Sequence, residues 1–215
     1  MWNNLKPIDL GKIETVQFDE SHYFQETFEK KQIVLHHTVS GDGVNGDIST
    51  WEGMKDRVAT AIIIDRAGVP WQLFSSKYWA YHLAAGNHNL DRHSIGIEID
   101  NWGWLTPGNN GKFKTFYGNE VYVTTQYYPD GFRGYKYYEK YTNAQIQTAG
   151  ELILYWHMIY NIPLTYNEDM WDVSPRALKG EPGVWTHVSY RPPNAKTDCH
   201  SQPELIDMLK TLSKI

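Results

Sequence analysis

Apolar positions recur along this chain in two rhythms, one of strands and one of helices. Gln32-Ile33-Val34-Leu35-His36 is a short run of β-branched and apolar residues, the pattern of a buried strand. Val34 and His36 fall on one face of it, Leu35 and His37 on the other. Ala61 to Asp65 predicts a second strand, Arg66-Ala67-Gly68 its turn, and Val69 to Phe74 a third strand pairing back. Ser94 to Ile99 alternates strictly: Ile95, Ile97 and Ile99 point one way, Gly96, Glu98 and Asp100 the other. Helical spacing governs Ile146, Ala149, Ile153 and Trp156. That helix opens on a Thr142/Gln145 capping box and stops before Asn161-Ile162-Pro163. A last helix is predicted from a Ser201/Glu204 box with Pro203 in its first turn. A polar, glycine-rich loop over Ser40 to Asp47 precedes a short predicted helix, Thr50 to Arg57.

Asn101 to Tyr141 breaks both rhythms. It is dense in Tyr, Phe, Trp, Gly and Asn, and reads as hairpins and long loops attached to one side of the domain. The whole pattern predicts an α/β fold: a single domain, 1–215, with a central mixed β-sheet flanked by helices. Residues 1–30 form an N-terminal extension of it and 101–141 an aromatic-rich insertion.

Composition narrows the function classes. With 41% apolar and 21% charged residues, 215 residues can bury a sizeable core. A net charge of -5 without a basic block argues against a partner held through nucleic-acid phosphates. No apolar run is long enough to span a membrane. The single cysteine, Cys199, excludes an internal disulfide framework. Met1 to Lys6 lacks the charged-then-apolar profile of a signal peptide, so the expectation is a chain made in the cytoplasm or released by lysis, with export open if the chain is trimmed. The 15 Tyr and 9 Trp are the compositional excess, and such amphipathic rings suit sugar or peptide surfaces as well as core edges.

Three places carry candidate chemistry. His36 ends a buried strand. Glu98 sits on a strand face beside Gly96, opposite an all-isoleucine face. Trp185-Thr186-His187 leads into a loop, Arg191 to Asp198, in which Lys196 and Asp198 are two apart and share a side if extended. Taken singly, each has an ordinary structural explanation. A His-Glu-x-x-His helix and a Gly-x-Ser-x-Gly elbow are both missing from the sequence. Gly41-Asp42-Gly43-Val44-Asn45-Gly46 matches a dinucleotide-binding pattern, with Asp65 suitably placed. However, His36 to Ser40 separate it from the strand, and Asp47 to Arg57 lacks the apolar stripe of a crossover helix.

In order along the chain stand Ile33-Val34-Leu35-His36-His37-Thr38, Ala61 to Gly68, Tyr81-His82-Leu83-Ala84-Ala85-Gly86-Asn87, Ser94 to Ile99, and Thr186-His187 with Lys196-Thr197-Asp198. With these five segments the sequence, over about Gln32 to Leu212, resembles the zinc-dependent N-acetylmuramoyl-L-alanine amidase family. That family includes phage amidase lysozymes (endolysins), anhydro-muropeptide amidases and peptidoglycan recognition proteins. The resemblance implies hydrolysis of the amide between N-acetylmuramic acid and L-alanine, in peptidoglycan or its fragments. It implies one Zn2+ per chain, held by His36, His187 and a third ligand that is an Asp or a Cys late in the chain. It also implies Glu98 as the catalytic acid-base group and Lys196 as the lysine that stabilises the transition state. Thr60 stands where some members carry a catalytic tyrosine, which leaves the acid-base role to Glu98.

His82 and Asn87 are expected to contact substrate, His82 otherwise orienting a neighbour, while His37 and His157 are expected to be structural. The family lysine stands two residues before the third ligand, as Lys196 does before Asp198. Cys199 would project to the opposite side of an extended loop, so Asp198 is the expected ligand. The expected partner is peptidoglycan or a muropeptide, bound by a monomer without nucleic acid or membrane. The alternative is a peptidoglycan-binding protein without catalysis, as in members that lose a zinc ligand.

Overall fold

The computed structural model describes every residue except Met1, Asp42 and Lys55. Its strands are β1 (Glu14–Thr15), β2 (Gln32–His37), β3 (Ile62–Ile64), β4 (Pro70–Gln72), β5 (Ser94–Ile99), β6 (Trp104–Pro107), β7 (Phe113–Lys114), β8 (Glu120–Val121), β9 (Thr125–Phe132), β10 (Tyr135–Glu139) and β11 (Gly183–Thr186). Its α-helices are α1 (Val44–Gly53), α2 (His88–Arg92), α3 (Asn143–Tyr160), α4 (Pro175–Leu178) and α5 (Pro203–Leu212).

Among the described residues the strands form two sheets. The first has six strands in the order β1-β4-β3-β5-β2-β11. Its pairs are parallel except β3 with β4, which turn back on each other through Asp65 to Val69, so the expected mixed sheet is present. β2 and β5 are interior neighbours in it and are buried along their whole length. Parallel strands covered on both faces require such apolar runs, which is why Ile, Val and Leu dominate them. α3 packs against this sheet and against α5. Both arms of the Thr142/Gln145 box are made, at 3.1 and 3.0 Å, and Ile146, Ala149, Ile153 and Trp156 are buried. The helix ends at Asn161, whose left-handed φ of 56° stops it.

Several expectations shift. The helix predicted at Thr50 to Arg57 runs instead from Val44 to Gly53, because Val44 and Ile48, four apart, bury one face of it inside the supposed loop. Lys55 of the predicted helix and Asp42 of the glycine pattern lie outside the described residues. The Ser201/Glu204 box does not form. Gln202 caps α5, Pro203 occupies its first position, and Glu204 pairs with Lys140. Residues 1–30 are woven into the core rather than appended to it: Trp2, Ile8, Phe18 and Tyr23 are buried there, and β1 pairs with β4.

Residues 101–141 hold the second sheet, five antiparallel strands in the order β8-β7-β6-β10-β9: the expected hairpins are β6–β7, β7–β8 and β9–β10, and they join into one sheet. Arg66 joins the two sheets. Its Nη1 donates to Asp100 at the end of β5 (2.6 Å), and its Nη2 to Glu139 at the end of β10 (2.9 Å). Among the described residues no helix is long and apolar enough to cross a membrane.

Candidate metal centre

The register of the central strands sets the site. β2 and β5 pair with His36 beside Glu98, so both side chains leave the same face near the carboxyl ends of parallel strands. Ligands of open α/β sheets bind at that edge. On the other side of β2, β11 pairs Thr186 with Leu35 and then turns into a single helical turn, His187–Ser189. Thr186 and Ser189 both donate to Met170 O, which fixes that turn. The loop after it returns Asp198 to His187, held by a bond from Val188 N to Asp198 O of 2.8 Å.

Three donor atoms therefore converge. His36 Nδ1 lies 2.9 Å from His187 Nδ1, His187 Nδ1 lies 2.9 Å from Asp198 Oδ2, and His36 Nδ1 lies 3.4 Å from the same oxygen. All three residues are buried. Ligands placed about 2.0–2.1 Å from a tetrahedral zinc stand about 3.3–3.4 Å apart, close to these spacings. His187 Nε2 donates to Leu83 O at 2.9 Å, and a carbonyl can only accept. In its neutral form His187 therefore turns the lone pair of Nδ1 into the cluster, toward the carboxylate of Asp198. Burial pushes His36 down to about 3, so this ring is neutral. Lone pairs and one negative charge facing each other at these distances fit a divalent cation.

Glu98 borders this cluster. Burial first, and then the charge of Asp198, push its carboxyl well above the usual range, with Lys196 acting in the opposite sense. Glu98 and Lys196 open on the same groove of about 710 Å³ as the three donor residues. The first sheet's side of the molecule contributes Trp51 and Tyr81 to that groove, and the second sheet contributes Trp104, Phe116, Tyr117 and Tyr135.

The sequence profile of the N-acetylmuramoyl-L-alanine amidase family matches residues 27–202, most of the chain and every residue of this site. The chain belongs to that family. This amidase accordingly acts on peptidoglycan, at the bond between N-acetylmuramic acid and L-alanine. At the level of individual curated sequences nothing matches. Among solved structures it is similar to the endolysin amidase LysCS from Clostridium intestinale (16% identity, TM-score 0.53, covering 94% of this chain and 97% of that one). It is similar to PlyL (14%, 0.54, 92% and 96%) and to the Staphylococcus aureus hydrolase AmiA (14%, 0.54, 98% and 86%). At such identities these likenesses establish the shared fold.

The remaining expected residues of the amidase fall in different places. His82 lines the groove with both ring nitrogens engaged, Nδ1 with His36 Nε2 at 3.0 Å and Nε2 with Ser94 Oγ at 2.7 Å. Asn87 is not brought to the groove: it caps α2, its Oδ1 accepting from Asn89 N at 3.1 Å. The fold turns Cys199 away from the cluster, buried beside Tyr141, and burial raises its thiol. His37, on the opposite face of β2, bonds Tyr141 Oη at 2.8 Å, and His157 bonds Ile162 O at 2.8 Å. Within the aromatic insertion, Trp104 and Tyr117 line the groove. Trp102 instead packs over Gly41, and Tyr137 lies between Phe113 and Tyr127. Sequence reading missed Arg133, whose Nη1 and Nη2 donate to Arg191 O (2.7 Å) and Val188 O (2.8 Å) on the loop following His187. No local pattern in an insertion without periodicity could signal it.

Proposed function

We propose that this amidase is a zinc enzyme whose metal is held by His36 Nδ1, His187 Nδ1 and Asp198 Oδ2. The observation that carries this reading is the convergence of two imidazole lone pairs and an ionised carboxylate within 3.4 Å of one another. Two histidines and one carboxylate are the number and kind of protein ligands that a catalytic zinc would use here. Zinc supplies a Lewis acid and brings water's pKa down to about 7. Glu98 accepts a proton from the attacking water and delivers it to the alanine nitrogen as the carbon–nitrogen bond breaks. Its raised carboxyl suits both halves of that transfer, since an acid-base group works best near the operating pH. Lys196, in the same groove, offers its ammonium to the carbonyl oxygen as charge develops there.

The groove continues past this centre onto the second sheet. Trp104 stacks on Tyr135 at 3.9 Å with planes 11° apart, and Phe116 meets Trp104 edge-on at 5.8 Å. Phe116 and Tyr117 are 58% and 67% exposed, which suits stacking on a sugar ring or flanking a stem peptide.

The deciding experiment pairs metal analysis with an assay of stem-peptide release from purified walls. One zinc per chain is expected, with activity lost on chelation and restored by zinc. Full activity in metal-free protein overturns the reading. Zinc binding without peptide release would place the chain with the non-catalytic binders.

A further inference from the structure

The proposed metal site has an orientation problem that the ligands alone do not solve. A neutral histidine carries its proton on either ring nitrogen, and His36 can bind metal through Nδ1 only if the proton sits on Nε2. We propose that Ser94 and His82 form a hydrogen-bond relay that holds the His36 proton on Nε2 and so presents a bare Nδ1 to zinc. The proposal rests on the zinc reading above.

The direction of the relay is fixed at its far end. Ser94 Oγ lies 2.7 Å from Leu90 O, and a carbonyl oxygen only accepts, so the hydroxyl proton is spent there. The same Oγ lies 2.7 Å from His82 Nε2 and must accept from it. His82 Nε2 therefore bears the ring proton, and the ring's two partners, a hydroxyl and an imidazole, offer no negative charge to hold a second proton. Its Nδ1 is then an acceptor, 3.0 Å from His36 Nε2, which donates. One hydroxyl at the start of β5 thus sets the proton position of a ring on β2.

The backbone around His82 is placed for the same task. His82 N and Leu83 N both donate to Asp91 Oδ1 at 3.0 Å, pinning the segment to α2. Leu83 O then receives His187 Nε2. Two consecutive residues orient two histidines, one through a side chain and one through a carbonyl. Gly96 provides the space: a Cβ there would stand 2.6 Å from Thr60 Cγ2 and 3.1 Å from His82 Nδ1, pushing the ring off His36. The glycine of Ile95-Gly96-Ile97-Glu98 is thereby explained by close approach, not by backbone freedom. Removing such supporting partners typically costs about 10–100-fold in metal affinity.

The test uses two readouts. Long-range proton–nitrogen NMR of the metal-free protein is expected to show His36 protonated at Nε2 and bare at Nδ1. Finding the proton on Nδ1 overturns the relay, and this measurement needs no variant. Zinc affinity, read by competition with a chromophoric chelator, is expected to weaken about 10–100-fold in Ser94→Ala. The His36 signals should shift toward the Nδ1-protonated form in the same variant. A folded Ser94→Ala with wild-type affinity and an unchanged His36 spectrum overturns the relay while leaving the zinc site standing. Failure of the wild-type protein to bind zinc overturns the site, and the metal-free spectrum still decides the relay.

Discussion

β2 and β5 are buried at every residue, whereas β9 is half-buried or exposed along its length and β10 is buried only at its last two residues. The first pair is short, aliphatic and parallel, and packed on both faces. The second is antiparallel and rich in tyrosine, with rings stacked across strands and along the groove. Both face the same cavity. On the function proposed above, reaction chemistry sits on the buried sheet, where a side chain has one place to go and a misplacement of an ångström is costly. The same reading puts substrate contact on the exposed sheet, where rigid flat rings offer surface at low entropic cost. The division implies that substitutions in the first sheet's loops change metal binding and turnover, while those in the second change substrate affinity.

The sharpest break would come at Asp198. Asp198→Ala is expected to lose both zinc and activity, while Cys199→Ser keeps both, as measured by metal content and stem-peptide release. Glu98→Ala should retain zinc and lose about 10²–10⁴-fold in turnover, the usual scale for an acid-base group. Unchanged turnover would remove Glu98 from the reaction.

A pH series separates the regions further. Because the Glu98 carboxyl is raised, catalysis that needs it ionised should fall as pH drops through a value well above 4.5. In the metal-free protein the stability sign is the reverse. The native state holds this proton more tightly than the unfolded chain, so Glu98's contribution is fully present below its unfolded pKa of about 4.3 and is lost as pH rises through the native value. Glu98→Gln should accordingly gain stability over the wild type at pH 8 and little at pH 4 in denaturant melts. The smallest effect is expected on the aromatic sheet. Trp104→Ala should raise KM about 2–10-fold with turnover nearly unchanged, the scale of one aromatic contact of about 0.5–1.5 kcal/mol. A fall in turnover instead would mean that the second sheet also positions the reacting bond.

The same contrast governs how much could be read from the sequence. β2 and β5 were legible because full burial demands apolar residues, and His36 and Glu98 stood out as polar groups within such runs. Their partners His187, Lys196 and Asp198 needed a whole series of segments in order, since each alone resembles an ordinary loop residue. Ser94 and Leu83 gave no signal: one acts through a hydroxyl and the other through a carbonyl, and only the tertiary fold aims them. The second sheet escaped because its strands pair through rings at a half-exposed surface, leaving no hydrophobic alternation. α1 was misplaced because its buried pair, Val44 and Ile48, lies amid glycines that read as loop. Ser201 and Glu204 had cap spacing, but the helix starts at Pro203.

Arg133 bears on the order in which the molecule assembles. It joins the β9–β10 hairpin to carbonyls 55 and 58 residues further along the chain. Closing loops of that length has an entropic cost that local contacts avoid, so such links form after the elements they connect. The hairpin and the loop bearing Lys196 and Asp198 are thus expected to join after each has formed. The nascent chain carries its strands and aromatic rings for some time before it carries a working groove.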